Sequence, residues 1–219
     1  MRALRLLVAD DHEIVRKGLC ALLGGQPGWG IVAEARDGRE AVGMAKELKP
    51  DVAVLDISMP GLNGLEAARQ ISKAVPQTKV LVLTMHESDT FIGEALEAGV
   101  RGFLLKTDAG KDLVGAVDAL GRNQTFFRSG VARMILDGHL KTRTQAATAE
   151  SGPRYRLTGR QREIVQLLAE GKSSKEVATV LDVSVKTVET HRANIMSRLN
   201  CHCVTDLVRY AIRNHIVEA

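Results

Sequence analysis

The feature that most constrains this chain is a fivefold alternation across its first 120 residues. Apolar, strand-like runs lie at 4–9 (LRLLVA), 31–35 (IVAEA), 52–55 (VAVL), 80–83 (VLVL) and 100–105 (VRGFLL). Helical apolar spacing fills the intervals, roughly 13–24, 38–48, 64–74, 88–98 and 110–121. A strand that is followed each time by a helix returns in parallel to its predecessor, and the helices then cover both faces of the sheet. With right-handed crossovers this predicts a doubly wound, five-stranded parallel α/β domain of flavodoxin-like type.

The pattern changes near residue 123. Val131 to Leu136 fit a short helix, and "KTRTQAATAESGP" at 141–153 has no large apolar side chain and reads as a linker. Beyond it the spacing is purely helical, over about 159–170, 174–181, 185–199 and 204–214. The expected organisation is an α/β domain over 1–122, a linker with a possible short helix over 123–152, and a small all-α domain over 153–219. Charge divides in the same way. Residues 1–122 hold 15 basic and 17 acidic side chains, whereas 153–219 hold 11 basic and 7 acidic ones. A polyanionic partner is therefore expected at the C-terminal domain.

No apolar run reaches the length of a membrane span, and "MRALRLLVADDHE" lacks the form of a signal peptide. Three cysteines, Cys20, Cys201 and Cys203, make no disulfide framework and suit a reducing cytoplasm. Cys201-His202-Cys203 offers metal-ligand types but no fourth ligand at zinc-like spacing, which favours a loop near solvent.

In a doubly wound sheet the ligand sits outside the carboxyl ends of the strands. Here the first run ends in Asp10-Asp11, the third in Asp56, the fourth in Thr84 and the fifth in Lys106. Each residue alone could serve loop chemistry; their convergence on one edge points to a site. Three close carboxylates repel unless a cation enters, and oxygen ligands with room for water suit Mg²⁺. A carboxylate beside Mg²⁺ can attack a phosphoryl group, while a lysine and the metal neutralise the charge in transfer. The pocket reads as a phosphoryl acceptor.

This set, with "DDHEIVRKGL" and "DISMPGLNGLEAAR", resembles the receiver domain of two-component response regulators over about residues 1–122. The resemblance implies that Asp56 is the phosphoacceptor. Asp11, Asp56 and the backbone carbonyl of Ser58 would bind Mg²⁺ directly, and Asp10 mostly through water. Thr84 and Phe103 would form the switch pair, Phe103 turning into space that Thr84 vacates, and Lys106 would contact the phosphoryl group. Phe103 stands where tyrosine is common, and Thr107 where many receivers have proline.

In the C-terminal domain, Ile164, Leu167 and Leu168 share a face of the first helix, followed by Val177, Val180 and Leu181 in a short second one. "LDVS" makes a tight turn with Ser184 as N-cap. Val185, Val188, Ile195, Met196 and Leu199 line one side of the third helix. The pattern is a helix-turn-helix with a candidate recognition helix. It resembles the LuxR-type domain over 153–219, and the two domains together resemble the NarL/FixJ family of response regulators. Gln161 departs from the family's usual glutamate, with a small effect on packing expected.

The resemblance places Glu189, Thr190 and Ala193 against bases. Glutamate can accept from cytosine, and the threonine and alanine methyls can touch thymine. Lys172, Lys175, Lys186 and Thr187 suit phosphate contacts. Arg192 reads as a structural ion-pair partner and His191 as a packing residue. In the fourth helix Val204, Leu207, Val208, Ala211 and Ile212 form an amphipathic stripe, part of which should cover the recognition helix and part pair two copies on DNA.

The expected function is a DNA-binding transcription regulator, not an enzyme, controlled by phosphorylation of Asp56 by a sensor histidine kinase and dimerising on phosphorylation or on DNA. A haloacid-dehalogenase-like phosphatase would usually carry a second acid where Ser58 stands. An acyl-homoserine-lactone sensor would have an aromatic-rich ligand domain, but residues 1–122 contain only Trp29, Phe91 and Phe103. A degenerate, phosphorylation-independent receiver is disfavoured by the intact acidic set.

Overall fold

Five strands, β1 (Leu4–Ala9), β2 (Trp29–Ala35), β3 (Val52–Asp56), β4 (Lys79–Thr84) and β5 (Gly102–Leu105), form one parallel sheet in the order β2-β1-β3-β4-β5. Helices α1 (Glu13–Gly24), α2 (Gly38–Leu48), α3 (Gly64–Ala74), α4 (Asp89–Glu97) and α5 (Ala109–Gly121) connect or follow them. The computed structural model describes residues 3–85, 89–127 and 157–217. The chain divides into two compact units, Met1–Leu140 and Lys141–Ala219. The short helix expected at Val131–Leu136 and the linker at 141–153 lie outside the described residues.

Alternation along each strand builds two core layers. Leu7, Ala9, Ala53, Leu55, Val80, Val82 and Phe103 face one layer, which α2, α3 and α4 complete. Leu6, Val8, Val52, Val54, Leu81, Leu83 and Leu104 face the other, completed by α1 and α5. Every residue of β3 is buried, as its unbroken apolar run requires of a central strand. The strand ends differ slightly from expectation: β2 begins at Trp29, which pairs with Leu4, and β5 begins at Gly102.

The edge of β5 is covered by chain beyond α5. Phe126 forms a parallel bridge with Gly102; its N–H donates to the Arg101 carbonyl, and its carbonyl accepts from Phe103 N–H, both at 3.0 Å. Phe126 packs against one core layer and Phe127 against the other. Ordered pairing with the sheet thus continues past the expected boundary at 122, because an open edge strand leaves backbone donors and acceptors unmet.

The second unit contains α6 (Gly159–Ala169), α7 (Ser174–Leu181), α8 (Val185–Leu199) and α9 (Val204–Arg213). Their shared core includes Ile164, Leu167, Val177, Leu181, Val188, Ile195, Leu207 and Ala211. Thr158 caps α6 through a reciprocal capping box with Gln161. Glutamine satisfies the same backbone donor as glutamate, which explains why the departure at Gln161 is tolerated. The α9 stripe makes its most extensive contact with α6. Its Leu207 and Ala211 share the core with Val188 and Ile195 of the recognition helix, as the stripe predicts.

Candidate functional site

Sheet register assembles the pocket. Ala9 pairs with Leu55, so the next residues of β1 and β3 bring Asp10 beside Asp56. Asp56 pairs with Leu83 and Thr84 with Leu105, which delivers Thr84 and Lys106 to the same edge. This edge includes the point between β1 and β3 where the strand order reverses, the place where a doubly wound sheet opens a crevice.

Asp10 and Asp56 are 0% and 1% exposed. Lys106 Nζ bridges them, 3.0 Å from Asp10 Oδ2 and 2.9 Å from Asp56 Oδ2. Donor atoms of Asp10, Asp11, His12 and Asp56 all lie within 4.8 Å of one another. The close-packed carboxylate oxygens of this cluster are hard donors that fit a divalent cation such as Mg²⁺. Ser58 is half-buried in the loop after β3, and Thr84 is buried at the end of β4.

Burial pushes the Asp56 carboxyl above its usual range, with Asp10 and Asp11 adding to the effect and Lys106 opposing it. Burial pulls the other way on Lys106, but Asp56 and Asp10 together outweigh it and raise its pKa. The lysine therefore stays charged, while the acceptor carboxylate is the strained partner.

The loop that aims Asp56 has its own requirement. Ile57 N–H donates to the Leu83 carbonyl and Gly64 N–H to the Ile57 carbonyl. A Cβ at Gly64 would overlap the Asp56 carbonyl oxygen, so only glycine lets α3 start this close to β3. Asn63 caps α3 by accepting from Glu66 N–H at 2.9 Å.

Phe103 lies inward in this structure. Its ring is 3% exposed and already packed in the core layer that also receives Phe127. The ring carries no hydroxyl to keep it near water, and burying it is worth roughly 1.5–3 kcal/mol.

Two residues of the pocket escaped the sequence reading. Arg16 is buried, donates from Nη1 to the Asp10 carbonyl at 2.7 Å, and has Nε 3.6 Å from Glu34 Oε2. Its signal was an arginine in the buried stripe Arg16, Leu19, Leu23 of α1. His12 places Nδ1 3.0 Å from Asp11 Oδ1 and 3.6 Å from Asp10 Oδ1. Its signal was position, directly after the two aspartates.

In the helical unit, Ser173 and Glu176 close a capping box on α7, and Asp182 in the left-handed region (φ 50°) ends it. Ser184 then caps α8, accepting from Thr187 N–H at 3.1 Å. Arg160 ties the turn to α6 by donating to the Leu181 carbonyl at 2.8 Å. The result is a fixed helix-turn-helix. Lys175, Lys186, Thr187, Glu189, Thr190 and Ala193 are all exposed, and Lys172 is half-buried with Nζ 3.9 Å from Glu170 Oε2. The Thr190 hydroxyl donates to the Lys186 carbonyl at 2.8 Å, and the Thr187 hydroxyl meets Ser184 Oγ at 2.8 Å. His191 and Arg192 are half-buried, and the ion-pair partner expected for Arg192 is not found among the described residues. The Cys201–Cys203 turn serves to start α9: Asp206 Oδ2 accepts from His202 N–H at 3.0 Å and Cys203 N–H at 3.2 Å.

Both halves match known families. Residues 6–118 match the response regulator receiver domain, and residues 155–211 match bacterial regulatory proteins of the luxR family. The transcriptional regulatory protein LiaR of Bacillus subtilis (strain 168) is 39% identical over 215 residues, covering 98% of this chain and 100% of LiaR. Among solved structures, the RcsB response regulator of Salmonella typhimurium is 25% identical, with a TM-score of 0.64 over 96% of this chain and 97% of that one. An RcsB–DNA complex is 26% identical, with a TM-score of 0.56 over 95% and 98%. With one half matching a receiver, the other a LuxR-type helix-turn-helix, and a relative similar from end to end, the chain belongs to the NarL/FixJ family of two-component response regulators, DNA-binding regulators of transcription.

Proposed function

We propose that this regulator is switched by phosphorylation of Asp56 in the cytoplasm, with a sensor histidine kinase as donor and promoter DNA as target. The observation that carries the reading is the bridging of buried Asp56 and Asp10 by Lys106 at 2.9 and 3.0 Å. An Asp56 carboxylate oxygen attacks the phosphorus of a phosphohistidine. The P–N bond breaks, its electron pair passes to the imidazole, and an acyl phosphate forms. Lys106 and the Thr84 hydroxyl would meet the phosphoryl oxygens. Asp10, Asp11, Asp56 and the Ser58 carbonyl would hold Mg²⁺, which supplies charge neutralisation to the transferring group. Arg16 orients Asp10 through its carbonyl.

The solved RcsB–DNA complex supports duplex DNA as the ligand of the helical unit. Lys172, Lys175, Lys186 and Thr187 take phosphates, and Glu189, Thr190 and Ala193 take base edges. The back-bonded Thr190 hydroxyl leaves its methyl as the group for thymine. Phosphorylated receivers pair, and the homodimer occupies a two-fold site. Full-length protein incubated with Mg²⁺ and acetyl phosphate should gain one acid-labile phosphoryl group, dimerise, and bind operator DNA more tightly. Asp56→Ala should abolish all three. Undiminished labelling of that variant would sink the assignment, and donor-independent operator binding would sink the proposed control.

A further inference from the structure

Arg16 occupies an unfavourable place for a charge. It opens the buried stripe Arg16, Leu19, Leu23 of α1, and its side chain is 7% exposed. A leucine there would extend the stripe, whereas a guanidinium must shed its water and be paired again. Two groups meet it. The Asp10 carbonyl accepts from Nη1 at 2.7 Å, and Glu34 Oε2, on β2, lies 3.6 Å from Nε.

The carbonyl is the informative partner. Both ladders of β1, with β2 and with β3, end at Ala9. Beyond them Asp10 N–H still donates to the Ala35 carbonyl, but at 3.3 Å. The Asp10 side chain is fixed separately, by His12 N–H at 2.9 Å and Lys106 Nζ at 3.0 Å. The carbonyl belongs to the planar peptide that joins Asp10 to Asp11. Holding its oxygen sets the rotation of that peptide, and with it the direction in which Asp11 leaves the strand.

We propose that Arg16, seated by Glu34, is a positioning residue for Asp11 and thereby sets the affinity of the pocket for Mg²⁺. The proposal rests on the phosphoacceptor reading of the pocket and adds a line of contacts from β2 through α1. Glu34 holds the guanidinium, the guanidinium holds the peptide, and the peptide aims the ligand. A positive charge acting only by its field would repel a divalent cation, so position and charge predict opposite signs for its removal.

Calorimetric titration of the full-length chain with Mg²⁺, beside labelling by acetyl phosphate across a Mg²⁺ series, tests the proposal. Arg16→Met keeps an apolar stem in the stripe and removes the donors. It should weaken Mg²⁺ binding by about tenfold or more. The Mg²⁺ concentration for half-maximal labelling should rise by the same factor, with the rate at saturating Mg²⁺ falling by less than about twofold. Glu34→Gln should weaken binding by roughly threefold, the scale of a partly exposed ion pair. In the Arg16→Met background it should add nothing, because Glu34 acts through Arg16. Thermal melts in chelator report folding. Should Arg16→Met not fold, Arg16→Lys, which keeps the charge without the fork, must still weaken binding by roughly threefold.

A merely structural arginine would lower the melting temperature and leave the Mg²⁺ half-saturation unmoved. Unchanged or tighter Mg²⁺ binding in the folded Arg16 variant, or a full Glu34→Gln effect in the Arg16→Met background, overturns the proposal. If the wild type binds Mg²⁺ and is labelled on Asp56 while the variants keep its Mg²⁺ affinity, only this inference falls. If the wild type neither binds Mg²⁺ nor is labelled, the phosphoacceptor reading falls with it.

Discussion

Lys106 Nζ stands 2.9 Å from Asp56 Oδ2, and the same nitrogen reaches Asp10 Oδ2 at 3.0 Å. One cation thus holds two nearly buried carboxylates together. Lys106→Met should leave them facing each other uncompensated. Stability without metal should fall by on the order of 3 kcal/mol, and saturating Mg²⁺ should restore much of it. Urea titrations with and without Mg²⁺ read both effects; a loss indifferent to the metal would mean that Lys106 acts elsewhere.

The raised pKa of Asp56 has a definite sign. A carboxyl whose folded pKa exceeds its unfolded value binds extra protons in the native state. Its contribution to stability is then fullest below the unfolded pKa and is lost as pH rises through the folded one. At neutral pH without metal, ionised Asp56 therefore weakens the fold. Asp56→Asn should melt above wild type at pH 7, and the gap should close as pH drops into the carboxylate range. A gap that widens on acidification would contradict the assigned direction.

Gly64 supplies a steric test. Gly64→Ala drives a methyl into the Asp56 carbonyl oxygen and should cost about 1–3 kcal/mol or more, with slowed labelling of Asp56. Gly115→Ala is the matched control: it sits on an exposed face of α5 with open space around its missing Cβ. That change should stabilise by roughly 0.5–1 kcal/mol and leave labelling alone.

Much of this was legible in the sequence because it rests on periodicity. The five βα units, the edge that gathers Asp10, Asp56, Thr84 and Lys106, and the exposed face of α8 all follow from residue spacing. What escaped was contact between elements. Arg16 occupies a core stripe, and nothing in its spacing says that it reaches back to the Asp10 carbonyl. Phe103 shares its core layer with Phe127, which is distant in sequence and supplied by the chain past α5. The seating of α9 on α6 was likewise invisible to a helical wheel, which gives a face but not its neighbour.

In the helical unit, Thr190→Ala should weaken operator binding by about 1–3 kcal/mol and leave binding to random DNA nearly intact. Lys186→Ala should weaken both and reduce the salt slope by about one unit. Thr190→Val keeps the methyl and removes only the hydroxyl bonded to the Lys186 carbonyl, so it should retain most specificity. Fluorescence anisotropy across a salt series distinguishes the three; identical behaviour on operator and random DNA would overturn the division of contacts.

The bridge between Phe126 and β5 has a consequence for information flow. Any pull on the chain beyond Phe127 is transmitted first to the backbone of Arg101 and Phe103, a few residues from Lys106. Coupling free energies are reciprocal. If phosphorylation shifts this strap and DNA binding depends on its state, a promoter that engages the C-terminal unit must bias the pocket by the same factor. The regulator's memory of a signal would then depend on whether it had already found its gene.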